Sequence, residues 1–157
     1  MIDINQKEAE TTLIHTIMTP LPLLEATYLD SIFTISNLMK EGKVGSIIIM
    51  DQNNKPVGII TERDIVRRAV SDSKDPSITK ATEIMSNPLI TVEKDTYLYE
   101  AAKKMVKNKI RRLPVVKNNT LVGIVTVTDI IKYFHKKNKD DNYLAKAMIR
   151  YGKYWEE

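Results

Sequence analysis

A chain of 157 residues, 43% hydrophobic and 28% charged, is sized for one globular domain or for two small halves sharing a core. It has no cysteine and only two histidines, His15 and His135, which leaves no disulfide, thiolate metal site, cysteine nucleophile or Ser-His-Asp triad to assemble. The net charge of +4 is mild, no apolar run reaches the roughly 18 residues of a membrane span, and the start MIDINQKEAETTL carries no export signal, so a cytoplasmic protein is expected.

In chain order, residues 1–13 read as a loose or docked arm. The motif Ile17-Met18-Thr19-Pro20 follows, then a short extended stretch at Leu23-Leu24. A helix is predicted over about Tyr28 to Glu41, with Asp30-Ser31 as its N-cap. The β-branched run Ser46–Met50, an Asn-rich turn and the return run Val57–Ile60 read as a hairpin. Thr61-x-x-Asp64 then opens a helix over Arg63–Ser71, and a polar Pro/Ser-rich linker occupies 72–81.

The same series now repeats at an offset of about 65 to 67 residues. Ile84-Met85-Ser86-Asn87-Pro88 leads into an extended Leu89–Val92 and a helix over about Thr96 to Asn108, N-capped at Asp95-Thr96. Ala101, Ala102, Met105 and Val106 share one face of it. The hairpin is Leu113–Val116 with Leu121–Val125, and Thr126-x-x-Asp129 opens a helix over Thr128–His135. The expected fold is mixed α/β (α+β), two β-α-β-β-α units of about sixty residues, at 14–71 and 82–135. Each is too small to bury a core unaided, so packing of their sheets is expected. The remainder, 136–157, carries Leu144, Met148, Tyr151 and Trp155 on a helical stripe that either packs on its own domain or docks a second copy or a partner.

The duplicated Thr-x-x-Asp has two readings. It is close to a capping pattern, with Thr at the cap and an acid at the third helical position. Asp64 and Asp129, acceptor-only when ionised, also suit the paired hydroxyls of a ribose, with Thr61 and Thr126 able to donate to ribose or phosphate. Apolar neighbours such as Ile59, Ile60, Ile124 and Val125 offer slots for a base. A basic stretch at 103–117 (Lys103, Lys104, Lys107, Lys109, Arg111, Arg112 and Lys117) contains no acidic residue. It reads either as a solvated face or as a surface that meets phosphate, on a nucleotide or on nucleic acid.

Taken together, IMTP and IMSNP, the RLPVV run and a Gly-h-h-Thr-x-x-Asp closing each unit resemble the CBS domain family, as a tandem pair over about Ile17 to Phe134. The resemblance implies a non-enzymatic regulatory module for adenosine-containing ligands (AMP, ADP, ATP or S-adenosylmethionine), with two clefts between its units, no required cofactor and no metal. It implies a homodimer or a separate effector protein as the reader of the bound state. Asp64 and Asp129 are then the ribose residues; Thr61, Thr126, Arg111, Arg112 and Arg63 are candidates for phosphate or ribose. Pro22, Leu23, Leu24, Ile47, Leu89, Ile90, Thr91 and Pro114 are candidates for packing on the base. Because Arg111-Arg112 stand where the first copy has Gly45-Ser46, the two clefts are expected to be unequal, with phosphate-rich ligands at the second. The alternative function is a nucleic-acid- or protein-interaction module that uses the 103–117 stretch and the aromatic tail; no membrane partner is expected.

Overall fold

The computed structural model describes residues 9–136, so the tail stripe from Leu144 to Trp155 lies outside it. After a 3-10 turn at Ile14–Thr16 come β1 (Thr19–Pro20), β2 (Glu25–Thr27), α1 (Ile32–Gly42), β3 (Ser46–Met50) and β4 (Pro56–Thr61). Next are α2 (Glu62–Ile65), which widens into a π-type turn at Val66–Val70, and the short α3 (Ala81–Ile84). The second half holds β5 (Val92–Glu93), α4 (Leu98–Lys107), β6 (Arg112–Lys117), β7 (Thr120–Thr126) and α5 (Val127–Lys136). They build two small sheets, in the orders β2-β3-β4 and β1-β7-β6-β5. Both expected hairpins, β3–β4 and β6–β7, are antiparallel, and each takes a parallel neighbour, β2 or β5.

The compact units do not coincide with the sequence repeats. One unit is Pro22–Ile90; the other joins Met1–Leu21 to Thr91–Glu157. The head of each repeat is therefore built into the unit that holds the body of the other repeat.

Two sets of backbone contacts hold each head. The first is at the start of the long helix, where the opening N–H groups lack partners within the helix. Thr12 O accepts from Leu98 N at 2.7 Å, and Ile14 N donates to Thr96 O at 2.9 Å. In the other unit Thr79 O accepts from Ile32 N, and Ala81 N donates to Asp30 O, both at 2.9 Å. The linker is thus ordered onto α1: Phe33 N also donates to Pro76 O at 2.9 Å, and Thr79 is buried.

The second set runs along the return strand. Thr19 and Pro20 pair with Ile124 and Gly123, while Ser86 and Ile59 exchange backbone bonds of 2.9 and 3.2 Å. Both crossings fall on a glycine. A Cβ on Gly123 would stand 2.6 Å from Thr19 O; one on Gly58 would stand 2.6 Å from Met85 Sδ and 3.2 Å from Ser86 O. The Gly-h-h-Thr motif begins with glycine because another backbone passes over it.

These contacts also explain where the elements depart from expectation. Helix α1 is capped by Ser31, whose hydroxyl accepts from Thr34 N at 3.1 Å, but it starts at Ile32 rather than Tyr28. Asp30 Oδ2 instead accepts from Thr27 N, closing a turn ahead of the helix. Helix α4 starts at Leu98 with Tyr97 as its N-cap and no side-chain cap, not at Asp95-Thr96, because the Thr12 carbonyl serves the first donor. The leading strands likewise fall slightly later than Leu23-Leu24 and Leu89–Val92.

In the Pro22–Ile90 unit, Ile35 and Met39 of α1, Ile47 and Ile60 of the hairpin, and Ile84 of the head share one core. Burying a side chain of this size contributes about 1.5–3 kcal/mol, so the head belongs to the unit energetically as well as by its hydrogen bonds. Gly123→Ala should lower stability by about 1–3 kcal/mol, a Tm drop of roughly 2–10 °C in thermal melts, because the Thr19 carbonyl is backbone and cannot swing aside. Gly58→Ala should cost less, since the first atom it meets is the sulfur of a flexible methionine, while the Ser86 carbonyl stands farther off at 3.2 Å.

Candidate functional site

At the end of β7, Thr126 turns the chain into α5, and its side chain forms a closed ring of hydrogen bonds with Asp129. Thr126 N and Thr126 Oγ1 donate to Asp129 Oδ2 at 2.8 and 2.6 Å, and Asp129 N donates to Thr126 Oγ1 at 3.2 Å. Thr61 and Asp64 repeat the pattern at the end of β4, with distances of 2.9, 2.7 and 3.2 Å. The capping reading is therefore realised at both motifs. Capping uses only Oδ2 of each carboxylate, which leaves Oδ1 for other work.

The two copies use that second oxygen differently. Arg68 Nη2 lies 3.4 Å from Asp64 Oδ1, and the same guanidinium donates through Nη1 to Ile84 O at 2.8 Å and to Ser86 Oγ at 3.3 Å. Asp64 is 8% exposed. Asp129 is half-buried, and among the described residues no partner reaches its Oδ1. The guanidinium on this carboxylate is that of Arg68, one helical turn after Asp64, a residue not among the sequence candidates. The i,i+4 spacing was the available signal.

Register brings the basic pair to the second cap. Arg112 pairs with Thr126 across β6 and β7, and Val127 N donates to Arg111 O at 2.9 Å. At the first cap the same places hold Ser46, paired with Thr61, and Gly45, whose carbonyl accepts from Glu62 N at 3.3 Å. Of the residues suggested for the base, Ile47 and Pro114 are buried, Ile47 in the core of its unit. Pro22 and Leu24 are exposed, and Leu23, Leu89, Ile90 and Thr91 are half-buried.

The basic stretch does not form one surface. Lys103, Lys104 and Lys107 line a groove of about 550 Å³ with Glu93, Glu100, Thr91 and Asn119. That groove lies toward the turn of the β6–β7 hairpin, whereas Arg112 and Thr126 sit at its other end. Lys104 Nζ is committed there to Thr91 O at 2.6 Å. Among the described residues there is no cluster of three or more His, Asp or Glu able to hold a metal, and no helix long and apolar enough to cross a membrane.

The repeated hairpin-and-cap unit has known counterparts: the model of the CBS domain matches residues 14–71 and again 81–136. The chain belongs to the CBS domain family. It carries two CBS domains in tandem, the arrangement of a regulatory module. An uncharacterized protein of Methanopyrus kandleri is 48% identical over 99 residues, 62% of this chain and 50% of that one, so the match spans half of the relative. The crystal structure of an uncharacterized conserved protein from Pyrococcus horikoshii superposes with a TM-score of 0.73 at 30% identity, over 79% of this chain and 92% of the other. A CBS domain protein of Pyrobaculum aerophilum, solved in complex with AMP, gives 0.68 at 26% identity over 75% and 89% of the two chains.

In this CBS pair the caps make a structural contribution that can be measured on its own. Thr126→Ala and Thr61→Ala should each lower stability in urea titrations by about 0.5–2 kcal/mol, and Thr→Ser should recover most of it, since serine also caps well.

Proposed function

We propose that this CBS pair is a non-enzymatic sensor that binds an adenosine-containing ligand through its Thr-x-x-Asp caps. The observation that carries the reading is the cap at Asp129. One carboxylate oxygen is fixed by Thr126, the other has no partner among the described residues, and Arg112 stands in register beside it. A carboxylate so held accepts two hydrogen bonds from adjacent ribose hydroxyls without losing its role in the helix. An arginine alongside supplies the planar fork that suits a phosphate, which favours AMP, ADP or ATP over S-adenosylmethionine. The AMP complex of the Pyrobaculum aerophilum protein supports the ligand class.

Binding would act by differential affinity. A ligand that prefers one arrangement of the module shifts the population toward it, and a separate effector protein or a second copy of the chain reads the result. The cytoplasm is the compartment that fits this role. No further cofactor is needed, because the bound ligand is the signal.

Thermal denaturation with AMP, ADP, ATP, S-adenosylmethionine and an unrelated pyrimidine nucleotide tests the reading. At about 100 times its dissociation constant the cognate ligand adds about 2.7 kcal/mol, a shift on the order of 5–10 °C for a chain of this size. The shift should vanish in Asp129→Ala. Unmoved curves with every adenosine compound would contradict the proposal.

A further inference from the structure

We propose that Arg68 closes the carboxylate of the Pro22–Ile90 unit, so that the chain takes one adenosine ligand, at Asp129, and none at Asp64. This rests on the adenosine reading above and adds the stoichiometry and the residue that sets it.

Both caps share their Thr, their Asp and the Ile that follows it, and the difference that bears on the carboxylate lies one turn beyond each aspartate. There the first copy has Arg68 and the second has Tyr133. Arg68 puts a positive charge on Asp64 Oδ1, the oxygen that capping leaves over, while Thr61 occupies Oδ2. An ion pair whose guanidinium side chain is 47% exposed would by itself hold loosely. This guanidinium is also anchored on the opposite side, on the Ile84 carbonyl and the Ser86 hydroxyl. The two bonds through Nη1 hold the guanidinium against Asp64, so swinging Arg68 away as a whole gives up three contacts and takes that donor from the Ile84 carbonyl. Asp64 is moreover 8% exposed, so a ribose has little access to it.

At the second cap the corresponding side chain cannot do this. Tyr133 is uncharged, and its hydroxyl lies 3.1 Å from Thr12 Oγ1 in the N-terminal arm. Its ring stands edge-on to Phe134, with centroids 5.1 Å apart. Asp129 consequently keeps Oδ1 for a ligand. The neighbouring strand agrees, with Arg111-Arg112 beside this cap and Gly45-Ser46 beside the closed one.

Isothermal titration of the full chain with AMP, with adenosine as the phosphate-free control, tests the inference. Wild type should bind one AMP per chain, and Asp129→Asn should bind none. Arg68→Gln, which keeps a donor for the Ile84 carbonyl but removes the charge, should raise the stoichiometry to two, and adding Asp64→Asn should return it to one. Two sites in wild type would overturn the inference while leaving the adenosine reading intact; a site that survives Asp129→Asn would overturn the inference and the placement of the ligand at Asp129 as well. An Arg68→Gln variant that still binds one AMP, or binds it several-fold more weakly, would also overturn it, the latter by making Arg68 a ligand contact. Absence of any binding to wild type would remove the adenosine reading and this inference with it.

Discussion

The passage of one backbone across another at Gly58 and Gly123 is the constraint on which the rest of the structure depends. The head of each repeat runs so close to the return strand of the other that a β-carbon would press on the Thr19 carbonyl at Gly123 and on the Met85 side chain at Gly58. Because the heads cross, Ile84 enters a core otherwise made by the first repeat, and Thr12 serves the first helical donor of α4 in the second. The two residues that set the caps apart are each held by one of these heads. Arg68 is held by Ile84 and Ser86, which belong to one head, while the hydroxyl of Tyr133 meets Thr12, which belongs to the other.

Much of this was legible in the sequence, for a definite reason. A nearly constant offset between two copies aligns Gly45-Ser46 with Arg111-Arg112 and Thr61 with Thr126, and the strand register then sets the arginine pair beside the second cap. The hairpins were legible because apolar runs flanked Asn-rich turns, and the Ser31 cap because serine competes well for an orphan helical N–H. The exchange of heads was not legible. Two similar repeats offer each head two similar strands, and local pattern does not distinguish its own from the other. The displaced start of α4 and the grip of Arg68 on Ile84 share that origin, since both depend on groups brought in by a head from far along the chain.

The caps leave room for one residue to serve the fold and, on the proposed reading, a ligand as well. Capping and recognition compete only when they need the same atom. Here Thr61 and Thr126 engage Oδ2, and the character of each site is decided at Oδ1. In one unit a guanidinium lies against that oxygen; in the other no described residue reaches it, and the proposed ligand would. If Asp129 alone takes the ligand, the module answers to a single ligand without competition between sites, a simpler response than two coupled sites would give.

The most direct test is a crystal structure of the chain grown with AMP. The account predicts ribose hydroxyls within hydrogen-bond distance of Asp129 Oδ1, phosphate near Arg111 or Arg112, and Arg68 still bridging Asp64 and Ile84. A ribose on Asp64 with Arg68 displaced, or a nucleotide bound away from both caps, would contradict it.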